Sequence, residues 1–427
     1  MISKNWLAKL SVITLTLILV GLPVLAAGCG NGNDDPDPTE TVKQPLKVGI
    51  MYPQTGVAAS KGQPMAAGVL DAIKYVNEEL DGVMGHQIQV VGRDNGYEAA
   101  RATTIINEFI SQNVLMFTTQ ASAMMTPVMG IANEAGLPGF TVFSAPNITQ
   151  PAQHIYAQMP DYGDGWAIFA KYYMDNVWQG TGKPKMALML LNNPTGSGAK
   201  DAADKLADSL GIEIVDISTH TGTTSDETTA LTTIAAKNPD VIFISSTPAP
   251  TSVIIKNIRT LQTNQANPRL TGITIGCGHA SYTSDMVALA GASNANGVMG
   301  VFPTVGWGDD VVGMAKMTEY VNQYHPAFKD NMDYITAWAE GLLIAKILET
   351  AIQNTPGGAD NLTPENVEKY GIQMLSNYDV SGLHGPVSYT PGDNRLSKAM
   401  RVFEVVGGII TPKTDWINAL YIDYGFS

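Results

Sequence analysis

The side chains able to do covalent or metal chemistry are few and scattered. Six histidines, His86, His154, His220, His279, His325 and His384, are spread along 427 residues, and none stands at metal-ligand spacing from another. Only two cysteines occur, Cys29 and Cys277, which excludes a disulfide framework and a four-cysteine metal site. Neither a Gly-x-Ser-x-Gly elbow, a Gly-x-x-x-x-Gly-Lys phosphate loop nor a His-Glu-x-x-His pair is present. Gly276-Cys277-Gly278 opens like a dinucleotide-binding loop, but Ser281 stands where the third glycine belongs. Cys277 follows an expected strand and reads as a small buried hydrophobe. No cofactor and no metal is expected, and the pattern favours non-covalent capture of a ligand over catalysis.

The formal charge is −14, from 25 basic and 39 acidic residues, with no run of five like charges. That argues against a nucleic-acid partner, whose phosphates need clustered Lys and Arg. With 44% hydrophobic and 15% charged residues the chain can bury a full core, and its length favours two lobes over one domain.

The N-terminus reads as an address. Lys4 and Lys9 precede a stretch from Leu10 to Ala27 without a charge, the order of an export signal. It ends Leu25-Ala26-Ala27-Gly28-Cys29, which resembles the bacterial lipobox, with Ala26 three positions before the cysteine where leucine is usual. On this reading residues 1–28 are a lipoprotein signal peptide and Cys29 carries the lipid. An uncleaved membrane anchor and simple secretion are the alternatives. Residues 29–45, rich in Gly, Asn, Asp and Pro, read as a flexible tether.

From Leu46 short apolar strands alternate with amphipathic helices. Leu46–Tyr52 is the first strand, and the following helix presents Met65, Val69, Ile73, Val76 and Leu80 on one face. Strands are predicted at 87–91, 114–118 and 138–143, with a helix over 97–112. Ser122 stands at a helix N-cap position ahead of an apolar run to Ala135. The pattern restarts at Met186, with strands at 186–191, 212–217, 240–245 and 270–276 and helices between. Residues 311–376 read as mostly helical, and strands near 387–389, 401–406 and 420–423 complete a sheet. Such alternation implies α/β architecture, with parallel sheets covered by helices.

Lys47-Val48-Gly49-Ile50, Thr55-Gly56 and Gly62, Gly85 to Gln89 with Arg93-Asp94, and Gly136-Leu137-Pro138 through Ser144-Ala145-Pro146 resemble the branched-chain amino-acid-binding proteins of bacterial ABC importers. The resemblance extends, with gaps, from about Leu46 to the C-terminus. It implies the type I periplasmic-binding-protein fold, two doubly wound lobes joined by three crossovers near Met159, Pro303 and Gly385-Pro386. The first lobe would comprise 46–158 and 303–385, the second 159–302 and 386–427. In such sheets the ligand crevice lies beyond the strand carboxyl ends, where Ser122 and Ser144 fall. By resemblance, Ser122 would bind the ligand carboxylate together with the free N–H groups of its helix. Ser144 and the carbonyl of Val142 would touch the ligand amino group.

The second lobe departs from that pattern. Thr195 and Thr247 stand where relatives place tyrosine, Gly278 where they place the glutamate that neutralises the ligand ammonium, and Lys61 where an aromatic is expected. Leaving a buried charge without its partner costs about 3–5 kcal/mol. Either another acid serves, Asp333 beside the ligand-contact position Tyr334 being the best candidate, or the ligand has no ammonium. Lys61 could meet an additional negative charge. The expected function is that of a lipid-anchored, monomeric substrate-binding protein presenting an amino acid or related carboxylate to ABC permease subunits. A ligand-sensing module docking on a separate receptor and a surface-anchored α/β enzyme are the alternatives.

Overall fold

The computed structural model describes residues 43–263 and 268–426. The expected signal peptide, Cys29 and most of the tether lie outside these residues. The first sheet contains β1 (Leu46–Tyr52), β2 (Ile88–Asp94), β3 (Met116–Thr119), β4 (Gly139–Thr141) and β5 (Ile155–Ala157), all parallel, in the order β2-β1-β3-β4-β5. Strand β1, inside the sheet, is apolar along nearly its whole length, as a strand covered on both faces must be. Helices Ala59–Glu79 and Met332–Asn354 pack along each other beside this sheet. Their approach depends on two glycines: a Cβ on Gly68 would lie 2.5 Å from the Tyr334 carbonyl oxygen, and one on Gly341 would lie 2.6 Å from Ala72 Cβ.

The second sheet contains β6 (Lys185–Leu191), β7 (Glu213–His220), β8 (Val241–Ser245), β9 (Thr274–Cys277), β10 (Met299–Phe302), β11 (Ala399–Val406) and β12 (Ile409–Pro412), in the order β12-β11-β10-β9-β8-β6-β7, with β13 (Ile417–Asn418) beside β11. Strands β6 to β10 run parallel, whereas β11 to β13 are antiparallel. Alternate residues of β6 enter two different cores: Met186, Leu188 and Leu190 join Trp166 and Phe169, while Ala187 and Met189 join Ile242 and Ile254. The twofold period of a strand puts one hydrophobic set on each face, so both faces need helices.

The chain crosses between the sheets three times. After β5 it enters helix Tyr162–Tyr172, which packs on helix Pro194–Leu206 of the second lobe. After β10 it returns to helices Met314–Tyr324 and Met332–Asn354, against Ala59–Glu79. It then stays with the first sheet beyond Gly385-Pro386, for Ala157 pairs with Arg395 and the Leu396 N–H donates to the Ala157 carbonyl at 2.8 Å. Arg395 ties two crossovers together, donating to Asp393 at 2.9 Å and to Asp164. Asp164 belongs to a reciprocal cap with Asp161 at the start of its helix.

Several sequence expectations shift. Leu80 is 52% exposed because the helix ends at Glu79, one residue before it. The run from Ser122 to Ala135 forms two short helices, Ser122–Met125 and Met129–Glu134, since Pro127 between them has no N–H to continue the ladder. Val387 makes isolated bridges with Tyr378 and Ser397 rather than a strand, and Ile417–Asn418 pairs with β11 in place of 420–423.

Candidate functional site

A cavity of about 320 Å³ lies where the carboxyl ends of the two sheets face each other. Nearly every parallel strand sends its following loop to the wall. The first lobe supplies Pro53 after β1, Tyr97 after β2, Gln120 and Ala121 after β3, and Phe143 after β4. The second supplies Asn192, Asn193 and Thr195 after β6, Thr221 to Thr223 after β7, Thr247 to Ala249 after β8, and Ala280 after β9. Lys61 comes from the first turns of helix Ala59–Glu79, and Tyr162 opens the crossover helix. No acidic residue is among the described residues lining this cavity.

Of the residues singled out from sequence, Lys61, Thr195 and Thr247 stand on the wall. The others are placed differently. Ser122 is buried and its Oγ lies 3.1 Å from the Tyr162 hydroxyl, so Ser122 sits one side chain behind the wall. Val142 and Ser144 are buried on either side of Phe143, which alone of the three lines the cavity. The chain bends at Val142 and Phe143 directly after β4, and it is Phe143 that lines the cavity. Ser144 Oγ has no partner, while its carbonyl accepts the Tyr162 N–H at 3.1 Å. Tyr334 is also off the wall: its hydroxyl donates to Asp71 at 2.7 Å and its ring lies between Trp307 and Trp338.

Asp333 and Lys61 form an ion pair with each other. The two groups expected to offer separate charges to a ligand therefore balance one another. Asp333 is fully buried, which pushes its carboxyl pKa up, and Lys61 partly offsets that. The Lys61 ammonium also sits 4.1 Å from the centre of the Phe143 ring.

Two further buried groups adjoin the cavity. His279 stacks nearly parallel to Phe143 and to Tyr162, with centroids 5.6 and 5.2 Å away, and both its ring nitrogens lack partners. Burial, with the Lys61 charge, pushes its pKa down to about 3, so the ring is neutral. Glu340 accepts hydrogen bonds from Thr118 Oγ1 at 2.6 Å and from Gln120 Nε2 at 3.0 Å, and burial raises its pKa to about 7. The sequence reading missed Tyr97, Gln120, Phe143, Tyr162, Asn193 and His279. All but Tyr162 follow closely on the end of a parallel strand, so the rule that selected Ser144 applied to each would have reached them.

The arrangement supplies hydroxyls, amides and one balanced cation around an apolar floor. No nucleophile–base pair is among the residues lining the cavity, the His220 Nε2–Ser246 Oγ hydrogen bond of 2.7 Å being buried and off the wall, and no group of three potential ligands among the described residues could hold a metal ion. It is a site built to hold a molecule by shape and hydrogen bonds. Two α/β lobes closing on a crevice define the type I periplasmic-binding-protein fold.

The chain belongs to the periplasmic binding protein family, whose model matches residues 45–409, a family of binding proteins and not of enzymes. Among solved structures it is similar to a branched-chain amino acid ABC transporter protein from Thermus thermophilus with bound valine, at 18% identity and a TM-score of 0.78, over 88% of this chain and 97% of that one. A fatty acid ABC transporter substrate-binding protein from Thermomonospora curvata matches at 19% identity and 0.74, over 88% and 93%. A branched-chain amino acid transporter substrate-binding protein from Streptococcus pneumoniae, in complex with isoleucine, matches at 18% and 0.69, over 86% and 97%. No curated protein sequence matches it.

Proposed function

We propose that this protein is the substrate-binding component of an ABC uptake system, exported and lipid-anchored through Cys29, and that it captures a small carboxylate without an ammonium group. The observation that carries the reading is the charge of the wall. It has no carboxylate to meet an ammonium, and the carboxylate behind it, Asp333, is already paired with the one cation of the wall, Lys61. Desolvating an unpaired ammonium there would cost several kcal/mol. A carboxylate is served better: a lysine has three N–H donors, of which Asp333 takes one, and Ser60, Thr195, Thr221, Thr223 and Thr247 add hydroxyls. Val57, Met65, Phe143, Leu191 and Pro248 leave room for an aliphatic or aromatic remainder.

The neighbours described with valine, isoleucine and fatty acid support a carboxylate as the shared feature of the ligand. No helix of the described residues is long and apolar enough to cross a membrane. Native mass spectrometry of freshly purified protein, followed by a thermal-shift screen of amino acids against straight-chain and aromatic monocarboxylates, tests the reading. Stabilisation by the monocarboxylates is expected. Stabilisation by amino acids alone would overturn it.

A further inference from the structure

Tyr97 has a backbone φ of +60°, the left-handed region in which a bulky side chain is strained. The loop holds it there from several sides. Asp94 Oδ1 accepts the N–H groups of Gln54, Thr55 and Gly96 at 2.9, 3.2 and 2.9 Å. Asn95 Oδ1 accepts the Tyr97 N–H at 2.8 Å, and the Asn95 N–H donates to the Tyr52 carbonyl at 3.0 Å. Gly96 is also at φ +60°, a conformation that glycine adopts without strain. Two successive left-handed residues turn the chain toward the cleft.

The ring of Tyr97 thereby lines the cavity between the lobes, and Asn193 of the second lobe lines the same cavity. Asn193 caps helix Pro194–Leu206 through its Oδ1, which accepts the Thr195 N–H at 2.9 Å. Its amide nitrogen is left for a partner in the cavity. Glycine or asparagine would occupy the same turn with little strain. A strained tyrosine on the wall of the interlobe cavity is the arrangement expected of a residue kept for what it meets there rather than for its loop.

We infer that Tyr97 is a closure and specificity determinant: it sets how far the lobes close and, with them, the length of ligand the cavity accepts. The ligand half of this rests on the carboxylate reading above, whereas the closure half does not. The test places nitroxide labels at Asn107→Cys and Lys205→Cys, exposed positions on the two lobes, in the full chain carrying Cys29→Ser. Label separations are then measured by pulsed electron resonance. Tyr97→Phe and Asn193→Ser, the latter keeping a capping hydroxyl, are each expected to raise the ratio of long to short separations by roughly two- to tenfold, and together no further. Tyr97→Asn is expected to open the lobes as much while raising the melting temperature.

Calorimetry with the series from butanoate to dodecanoate then reads specificity, and Tyr97→Asn is expected to move the preferred acid to a longer chain. Separations in Tyr97→Phe and Tyr97→Asn that superimpose on the wild type would overturn the inference, as would Tyr97→Asn lowering the melting temperature without opening the lobes. If no acid of the series binds the wild type, the carboxylate reading fails, and the label separations still decide the role of Tyr97.

Discussion

Lys61 and Asp333, 272 positions apart in sequence, neutralise each other at the cavity wall. Asp333 has no exposed side-chain surface, and its second carboxylate oxygen has no partner. The pair therefore fixes the site's charge as well as its shape.

Removing one partner exposes what the pair does. Lys61→Met leaves Asp333 buried alone and is expected to cost about 3–5 kcal/mol of stability at neutral pH. Burial raises the Asp333 pKa, so the folded state prefers the protonated acid and the deficit shrinks on acidification. Urea denaturation at pH 7 and pH 4 measures this, and an equal deficit at both would contradict it.

Glu340 gives a slope of its own. With a folded pKa of about 7 against an ordinary 4.5, its contribution is fully present below pH 4.5 and lost as pH rises toward 7. Glu340→Gln is expected to match the wild type near pH 4 and exceed it by about 3 kcal/mol at pH 8. Gln120 can turn to serve the new amide because its own Oε1 is unpartnered. Parallel stability curves would contradict the assignment.

His279 acts in the opposite direction. Its pKa falls from 6.5 to about 3 on folding, so the unfolded chain binds the proton first and stability drops as pH falls below 6.5. The loss approaches about 1.4 kcal/mol per pH unit. His384, pushed down to about 4 by burial, adds to the wild-type slope, so His279→Phe is expected to flatten it in part. Denaturation midpoints from pH 7 to pH 4 decide.

Ser122 is expected to act through Tyr162. If the 3.1 Å contact carries its effect, Ser122→Ala weakens ligand binding by about 1 kcal/mol in the wild type and hardly at all in Tyr162→Phe. Additive losses by calorimetry would instead indicate a direct contact between Ser122 and the ligand.

Much of the fold was readable from periodicity, because long strands such as Leu46–Tyr52 and helices such as Ala59–Glu79 impose their period over many residues. The strands β5, β10 and β12 were not, and length alone is not the reason, since β3, β4 and β9 are as short and were read. The site was legible as a place and not as a set of side chains. Strand ends located the crevice, but the bend that follows β4 decides that Phe143 lines it while Val142 and Ser144 do not. Likewise Lys61 and Asp333 were each visible as a charge, and only the packing of their two helices makes them a pair.

The central claim is that the cleft takes a carboxylate lacking an ammonium group. Leucine and 4-methylpentanoate differ in that group alone, so isothermal calorimetry of the two on the same protein tests it most directly. The wall described here predicts that 4-methylpentanoate binds at least about a hundredfold more tightly, the equivalent of about 3 kcal/mol for an unpaired buried charge. Tighter binding of leucine would contradict it.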